Sequence, residues 1–244
     1  MRVTTTRLPV GGGLSLAADL AGDPADRAVL LFHGGGQTRH SWGGAVLDLA
    51  ERGFHVATID LRGHGDSDWS PDGEYGPEVF SADIVAVARQ FDHPALVGAS
   101  LGGVSALAGV AQTTDDPCAS ALVLVDVAPD IELAGADRIR AFMRRHIKDG
   151  FESLEEVADA VQDYNPNRPR PDNLDGLRKN VRQRDDGRWY WHWDPAFMSG
   201  PNTDYDETRA RTFARRNDDL RAAARSLTVP TLLVRGRKSD LLSE

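Results

Sequence analysis

The sequence predicts an α/β protein with a mostly parallel, doubly wound sheet interrupted by a helical insertion, and three observations predict it. Continuous apolar runs at 28–32, 95–99 and 121–125, of the kind found in strands buried on both faces, each end in a glycine- or aspartate-bearing turn. Stretches with helical spacing separate them, an alternation that yields parallel strands joined by right-handed crossovers. The charge is also unevenly placed: residues 1–130 hold 7 Lys/Arg against 17 Asp/Glu, residues 131–226 hold 18 against 18, and residues 227–244 hold 3 against 2. The middle segment differs in kind from the two acidic flanks, which read as one body.

Taken in order, residues 2–10 and 14–22 alternate polar and apolar around Gly11-Gly12-Gly13, the pattern of a β-hairpin. A third strand at 28–32 runs into His33-Gly34-Gly35-Gly36. The spacing over 41–53 predicts a helix with Ser41 as N-cap and Gly53 as its stop. A fourth strand at 55–60 leads into the turn Leu61-Arg62-Gly63-His64-Gly65-Asp66-Ser67, read as structural. A helix over 77–91, apolar at Val79, Ile84, Val87 and Phe91, precedes the fifth strand at 95–99. The helix over 101–112 carries Gly102, Gly103, Ser105, Ala106, Ala108 and Gly109, small enough to lie close on a sheet. The sixth strand is 121–125.

From 131 to 226 the pattern is almost wholly helical, with helices expected at 134–149, 153–164, 174–184 and 207–226 and with Ser153 and Glu156 in capping-box spacing. This segment is expected to form a helical cap inserted between strands six and seven. The aromatic stretch Trp189-Tyr190-Trp191-His192-Trp193 through Met198 reads first as the hydrophobic centre of that cap and second as a substrate wall. A seventh strand returns at 230–236. The expected organisation is a core of 1–130 and 227–244 with a cap of 131–226.

At 244 residues and 41% apolar content the chain is long enough to bury a sizeable core. Its net charge of −9 argues against nucleic acid, which needs a basic stripe; the arginines at 209, 211, 215, 216, 221 and 225 are interleaved with Asp206, Glu207, Asp218 and Asp219. Cys118 stands alone, so no intrachain disulfide forms. No run approaches the roughly 18 apolar residues of a membrane span, and the first six residues open no signal-peptide core. The expectation is a cytoplasmic protein with no cofactor, metal or membrane partner and with its oligomeric state open.

Gly98-Ala99-Ser100-Leu101-Gly102 places a serine at a sharp strand-to-helix turn, where glycines two before and two after let neighbouring chain approach. Together with His33-Gly34-Gly35, Asp60-Leu61-Arg62-Gly63-His64-Gly65 and Gly236-Arg237-Lys238-Ser239-Asp240, this motif resembles the α/β-hydrolase superfamily in its serine-nucleophile, capped branch. The resemblance covers nearly the whole chain. It implies that Ser100 attacks an acyl carbonyl while the backbone N–H groups of Leu101 and Gly35 face the developing oxyanion. It implies Asp240 as the acid, with Asp126 as the alternative, and a small-molecule ester as substrate. Gly34, Trp191 and His192 are expected beside the pocket. Lactonase, carbon–carbon hydrolase and cofactor-free haloperoxidase activities share these residues, and a non-catalytic ligand-binding module is the rival from another class. A dinucleotide-binding protein fits neither glycine cluster.

The base departs from the family's pattern, in which a histidine follows the acid. All seven histidines, at 33, 40, 55, 64, 93, 146 and 192, precede Asp240. Only His146 and His192, on the cap, are candidates to approach Ser100 from above. The expectation is therefore a chain that lacks the family's last strand, histidine loop and helix, with Thr231–Val234 left as a sheet edge and Ser100 left without a base.

Overall fold

The structure, a computed structural model, describes residues 2–166, 170, 172–199, 207–239 and 241–242, with residues 207–209 described in their backbone alone. Seven strands form one sheet: β1 (Thr4–Pro9), β2 (Ser15–Ala21), β3 (Arg27–Phe32), β4 (Phe54–Ile59), β5 (Ala95–Ala99), β6 (Ala121–Val125) and a last strand, β9 (Thr231–Val234). Their spatial order is β1-β2-β4-β3-β5-β6-β9. β1 and β2 run antiparallel to their neighbours and the rest are parallel.

The sheet is covered on both faces because its strands alternate. Leu30 and Phe32 of β3 pack with Leu96, Leu122 and with α2 (Pro77–Ala88) and α3 (Leu101–Ala111) on one face. Val29 and Leu31 pack on the other with Val46 and Ala50 of α1 (Ala45–Glu51). A period of two along a strand produces this division directly. Register aligns the carboxyl ends: Phe32 pairs with Ile59 and with Gly98, and Ala99 pairs with Val125. His33, Asp60, Ser100 and Asp126 therefore leave the sheet along a single edge, the edge at which parallel sheets bind ligands.

Between β6 and β9 the chain leaves the sheet through α4 (Leu133–Arg144), α5 (Leu154–Tyr164), a two-stranded ribbon of β7 (Val181–Gln183) and β8 (Trp189–Trp191), and α6 (Glu207–Ser226). This excursion has its own core of Met143, Phe151, Leu154, Val157, Val181, Trp191, Trp193 and Met198. Ser153 caps α5, its hydroxyl accepting from Glu156 N–H at 3.2 Å, as the spacing predicts. Two predicted helices are corrected. The helix expected over 41–53 is a 3-10 turn at Arg39–Trp42 followed by α1, because Gly43 (φ 50) breaks the run and Gly44 takes the N-cap in place of Ser41. The helix expected over 174–184 is a 3-10 turn at Asp175–Lys179 followed by β7, since pairing with the aromatic β8 outweighs the helical spacing.

Among the described residues β9 is an edge of the sheet. Leu232, Leu233 and Val234 are 57%, 47% and 45% exposed, and because neighbours along a strand point oppositely, both faces of β9 are uncovered. Such an edge pairs readily with other chains. Leu232→Lys is accordingly expected to reduce light scattering of a concentrated solution while changing stability by no more than about 0.5 kcal/mol; unchanged scattering counts against the edge as the route of association. No helix among the described residues is long and apolar enough to cross a membrane.

Candidate active site

Ser100 sits between β5 and α3 with φ 46° and ψ −114°, a left-handed conformation that a β-substituted residue adopts only where surroundings enforce it. The enforcing contacts are backbone. A Cβ on Gly98 would lie 2.5 Å from Gly103 Cα, and one on Gly102 would lie 2.5 Å from the Phe32 carbonyl oxygen. Glycine at both positions lets α3 press against β5 and β3, and Gly102 N–H donates to the His33 carbonyl at 3.1 Å. Leu101 N–H, at the start of α3 where the helix dipole is positive, donates to no acceptor within the described chain.

The second wall is the turn after β3. Gly34 N–H donates to Gln37 Oε1 at 3.1 Å, and Gly36 N–H donates to His64 Nε2 at 3.1 Å. Gly35 N–H between them donates to nothing in the described chain. A Cβ on Gly34 would stand 3.3 Å from Ser100 Cβ, and one on Gly35 would stand 3.8 Å from Leu101 Cδ2. Two amides without an acceptor among the described residues, Gly35 and Leu101, thus belong to the two chain segments that meet at Ser100, whose hydroxyl has no hydrogen-bond partner among those residues.

Below this turn lie two buried histidines. His33 Nδ1 donates to the Gly34 carbonyl at 2.7 Å and Nε2 accepts from Leu61 N–H at 2.9 Å. Burial lowers its pKa to about 4, against the pull of the Gly34 carbonyl. His64, also buried and next to His33, is lowered to about 3 by burial and by its neighbour's potential charge. Beneath them Asp60, fully buried, accepts from Arg39 N–H at 2.6 Å and Asp66 N–H at 2.9 Å and pairs with the Arg39 guanidinium. Every buried charge here has a partner, which is the condition for keeping one inside.

The other sequence candidates are dispersed. Asp126 Oδ1 accepts Gly236 N–H at 2.9 Å, tying the ends of β6 and β9 together, and Asp240 lies outside the described residues. Trp191 is in the excursion's core, its Nε1–H donating to the Arg145 carbonyl at 3.1 Å. His192 Nε2 lies 3.8 Å from Asp66 Oδ1, and burial with the nearby Arg182 lowers its pKa. His146 stacks on Phe151 at 4.2 Å. The remaining three, His40, His55 and His93, lie beside Asp19, Phe91 and Asp92. None of the seven hydrogen-bonds Ser100.

Of the residues of the excursion that reach the turn, Phe197 belongs to the aromatic stretch read as cap centre or substrate wall, and Met143 was not singled out. Phe197 Cζ would be 3.6 Å from a Cβ on Gly35, and Met143 Cε 2.8 Å from one on Gly36. Phe197 had a signal: Asp194-Pro195 starts a 3-10 turn, with the Asp194 carboxylate accepting Ala196 N–H at 2.9 Å, and that turn presents the next aromatic. Met143 had none. An open recess of about 680 Å³ between Leu154, Arg170 and Arg178 lies on the excursion's own surface, and neither Ser100 nor the Gly34-Gly35-Gly36 turn lines it.

Residues 29–243 match the model of the alpha/beta hydrolase family. The esterase Rv0045c of Mycobacterium tuberculosis is 32% identical over 223 residues, covering 88% of this chain and 68% of the relative. The 2-(acetamidomethylene)succinate hydrolase of Mesorhizobium japonicum is 28% identical over 217 residues, covering 88% and 72%. Among solved structures, one of E-2-(acetamidomethylene)succinate hydrolase superposes with a TM-score of 0.79 at 26% identity, covering 99% of this chain and 84% of the other.

Proposed function

The chain belongs to the alpha/beta hydrolase family, and from that premise we propose that it cleaves a small or medium carboxylic ester through an acyl-serine intermediate on Ser100. The observation that carries this reading is the pair of unspent amides, Gly35 and Leu101, converging beside a serine held at φ 46°. Ser100 Oγ attacks the acyl carbonyl, its proton passes to a base, and the carbonyl oxygen becomes an oxyanion between the two N–H groups. Each such donor is worth roughly 3–4 kcal/mol in comparable sites. The alkoxide then leaves with a proton, and water releases the acid by the same steps in reverse. We read the excursion over 131–226 as a cap whose Phe197 and Met143 bound the space above the turn. Asp240 is the proposed acid. Asp126 is the alternative, with one carboxylate oxygen already spent on Gly236.

None of the seven histidines hydrogen-bonds Ser100, and we assign none of them as its base. The 244 residues alone therefore acylate slowly, and free imidazole in solution takes the place of the base. Two measurements test this. With imidazole present, a fluorophosphonate probe should label Ser100, as located by peptide mass, and label nothing in Ser100→Ala. Hydrolysis of nitrophenyl acetate should rise with added imidazole more steeply for the native chain than for Ser100→Ala, whose rate reports the imidazole background. Labelling that survives in Ser100→Ala sinks the serine reading, and a probe that does not label the native chain even with imidazole present leaves the ligand-binding module as the better account.

A further inference from the structure

We infer that His64 is a positioning residue for the Gly35 amide: its imidazole holds the oxyanion turn while its backbone is held by the cap. The inference rests on the acyl-serine reading of Ser100. His64 is fully buried, and its two ring nitrogens have fixed roles. Nδ1 lies 2.9 Å from the Arg62 carbonyl, to which it donates; Nε2 accepts from Gly36 N–H at 3.1 Å. Those partners select the neutral tautomer protonated at Nδ1.

What Nε2 holds is the peptide next to the one that matters. The run Gly34-Gly35-Gly36 has no side chain to fix it, and Gly36 adopts φ +75°. The Gly34 carbonyl accepts from Gln37 N–H at 3.1 Å and from His33 Nδ1, which closes the turn, and the acceptors of its amides are Gln37 Oε1 for Gly34 and His64 Nε2 for Gly36. With both neighbours engaged, Gly35 N–H is the one amide of the three with no acceptor among the described residues. Remove the acceptor and a three-glycine segment regains rotational freedom at the amide that must meet the oxyanion.

The second set of contacts comes from the cap. His64 forms a β-bridge with Trp193, Gly65 N–H donates to the His192 carbonyl at 2.8 Å, and Asp194 N–H donates to the Gly63 carbonyl at 2.7 Å. The Phe197 ring meets the imidazole edge-on at 4.8 Å and covers Gly35 from above. The turn Gly63-His64-Gly65 is thus bonded on one side to the cap and on the other to the oxyanion turn, and His64 is the residue common to both.

Two variants separate positioning from folding. His64→Gln offers a carbonyl oxygen near the place of Nε2, and His64→Leu fills similar volume with no acceptor. In the native chain, a scalar coupling between the His64 Nε2 and Gly36 N nuclei should be detectable across the hydrogen bond, a readout that needs no turnover. With nitrophenyl acetate and added imidazole, His64→Leu is expected to lose about tenfold to a hundredfold in kcat, less than the 10²–10³ lost with a whole oxyanion donor. KM should change less than twofold, and His64→Gln should recover most of the rate. A folded His64→Leu that keeps native kcat, equal loss in both variants, or an absent coupling overturns the inference. Rates that do not depend on Ser100 overturn the serine reading first and this inference with it, and the coupling then reports only a structural hydrogen bond.

Discussion

Gly102→Ala is expected to destabilise the protein by on the order of 4 kcal/mol, enough to threaten folding in a domain of ordinary stability. The added Cβ meets the Phe32 carbonyl oxygen at 2.5 Å, the His33 carbonyl oxygen at 2.7 Å and the Phe32 carbonyl carbon at 2.8 Å. All three are backbone atoms of β3 and its outgoing turn, so no side chain can swing away. Moving α3 outward relieves the clash only by stretching the Gly102 N–H bond to the His33 carbonyl and by opening the contact between Gly98 and Gly103. Helix propensity works the other way, favouring alanine by about 1 kcal/mol, and is outweighed. Gly176→Ala, where nothing lies within 4 Å, is the control and should change stability by no more than about 0.5 kcal/mol. Urea denaturation of the pair decides it: a Gly102→Ala midpoint equal to the native one means that the elbow is looser than the backbone contacts require.

Lowering the pH from 7 to 4 is expected to remove on the order of 5 kcal/mol of stability through His33 and His64. In the unfolded chain each imidazole takes up its proton near 6.5; in the folded chain burial, first, holds His33 down to about 4 and His64 to about 3. Between those values the unfolded state binds more protons than the folded state. Stability is therefore intact above about 6.5 and drains away as the pH falls toward 4 and then 3. His40 and His192, also lowered chiefly by burial, add in the same direction. Asp66 adds at lower pH still: burial works to raise its pKa, but the Arg39 guanidinium overrides that and holds it below the usual carboxylate value. Asp83, raised by burial against the hold of Arg62, opposes them. Circular dichroism across urea at pH 7 and pH 4 measures the sum, and His64→Gln should show a visibly smaller pH dependence. A native chain whose stability is flat between pH 7 and 4.5 overturns the assignment of both histidines as buried and neutral.

The acid sensitivity and the glycine clash share an origin that the sequence displays only in part. His33-Gly34-Gly35 and Gly98 through Gly102 can be read as motifs because each lies at a strand end, and the strands announce themselves by apolar runs. What a motif omits is its partner. His64 looks bland in a glycine turn until β3 and β4 pair in parallel, Phe32 opposite Ile59, and bring the two outgoing turns within reach of one another. Trp191 and His192 drew attention as aromatic and titratable, yet their side chains turn to the Arg145 carbonyl and to Asp66. Phe197 reaches Gly35 because a 3-10 turn begun by Asp194 aims it there.

The sequence by itself determined the parallel sheet, the helical excursion between β6 and β9, the serine at the elbow and the glycines around it, because apolar periodicity and glycine placement are local properties that a chain carries before it folds. Only the tertiary structure decided which amides are spent and which are free, which residues of the excursion overlie the turn, and that none of the seven histidines hydrogen-bonds Ser100. Those outcomes depend on strand register and on the packing of residues tens of positions apart, and no local pattern encodes them.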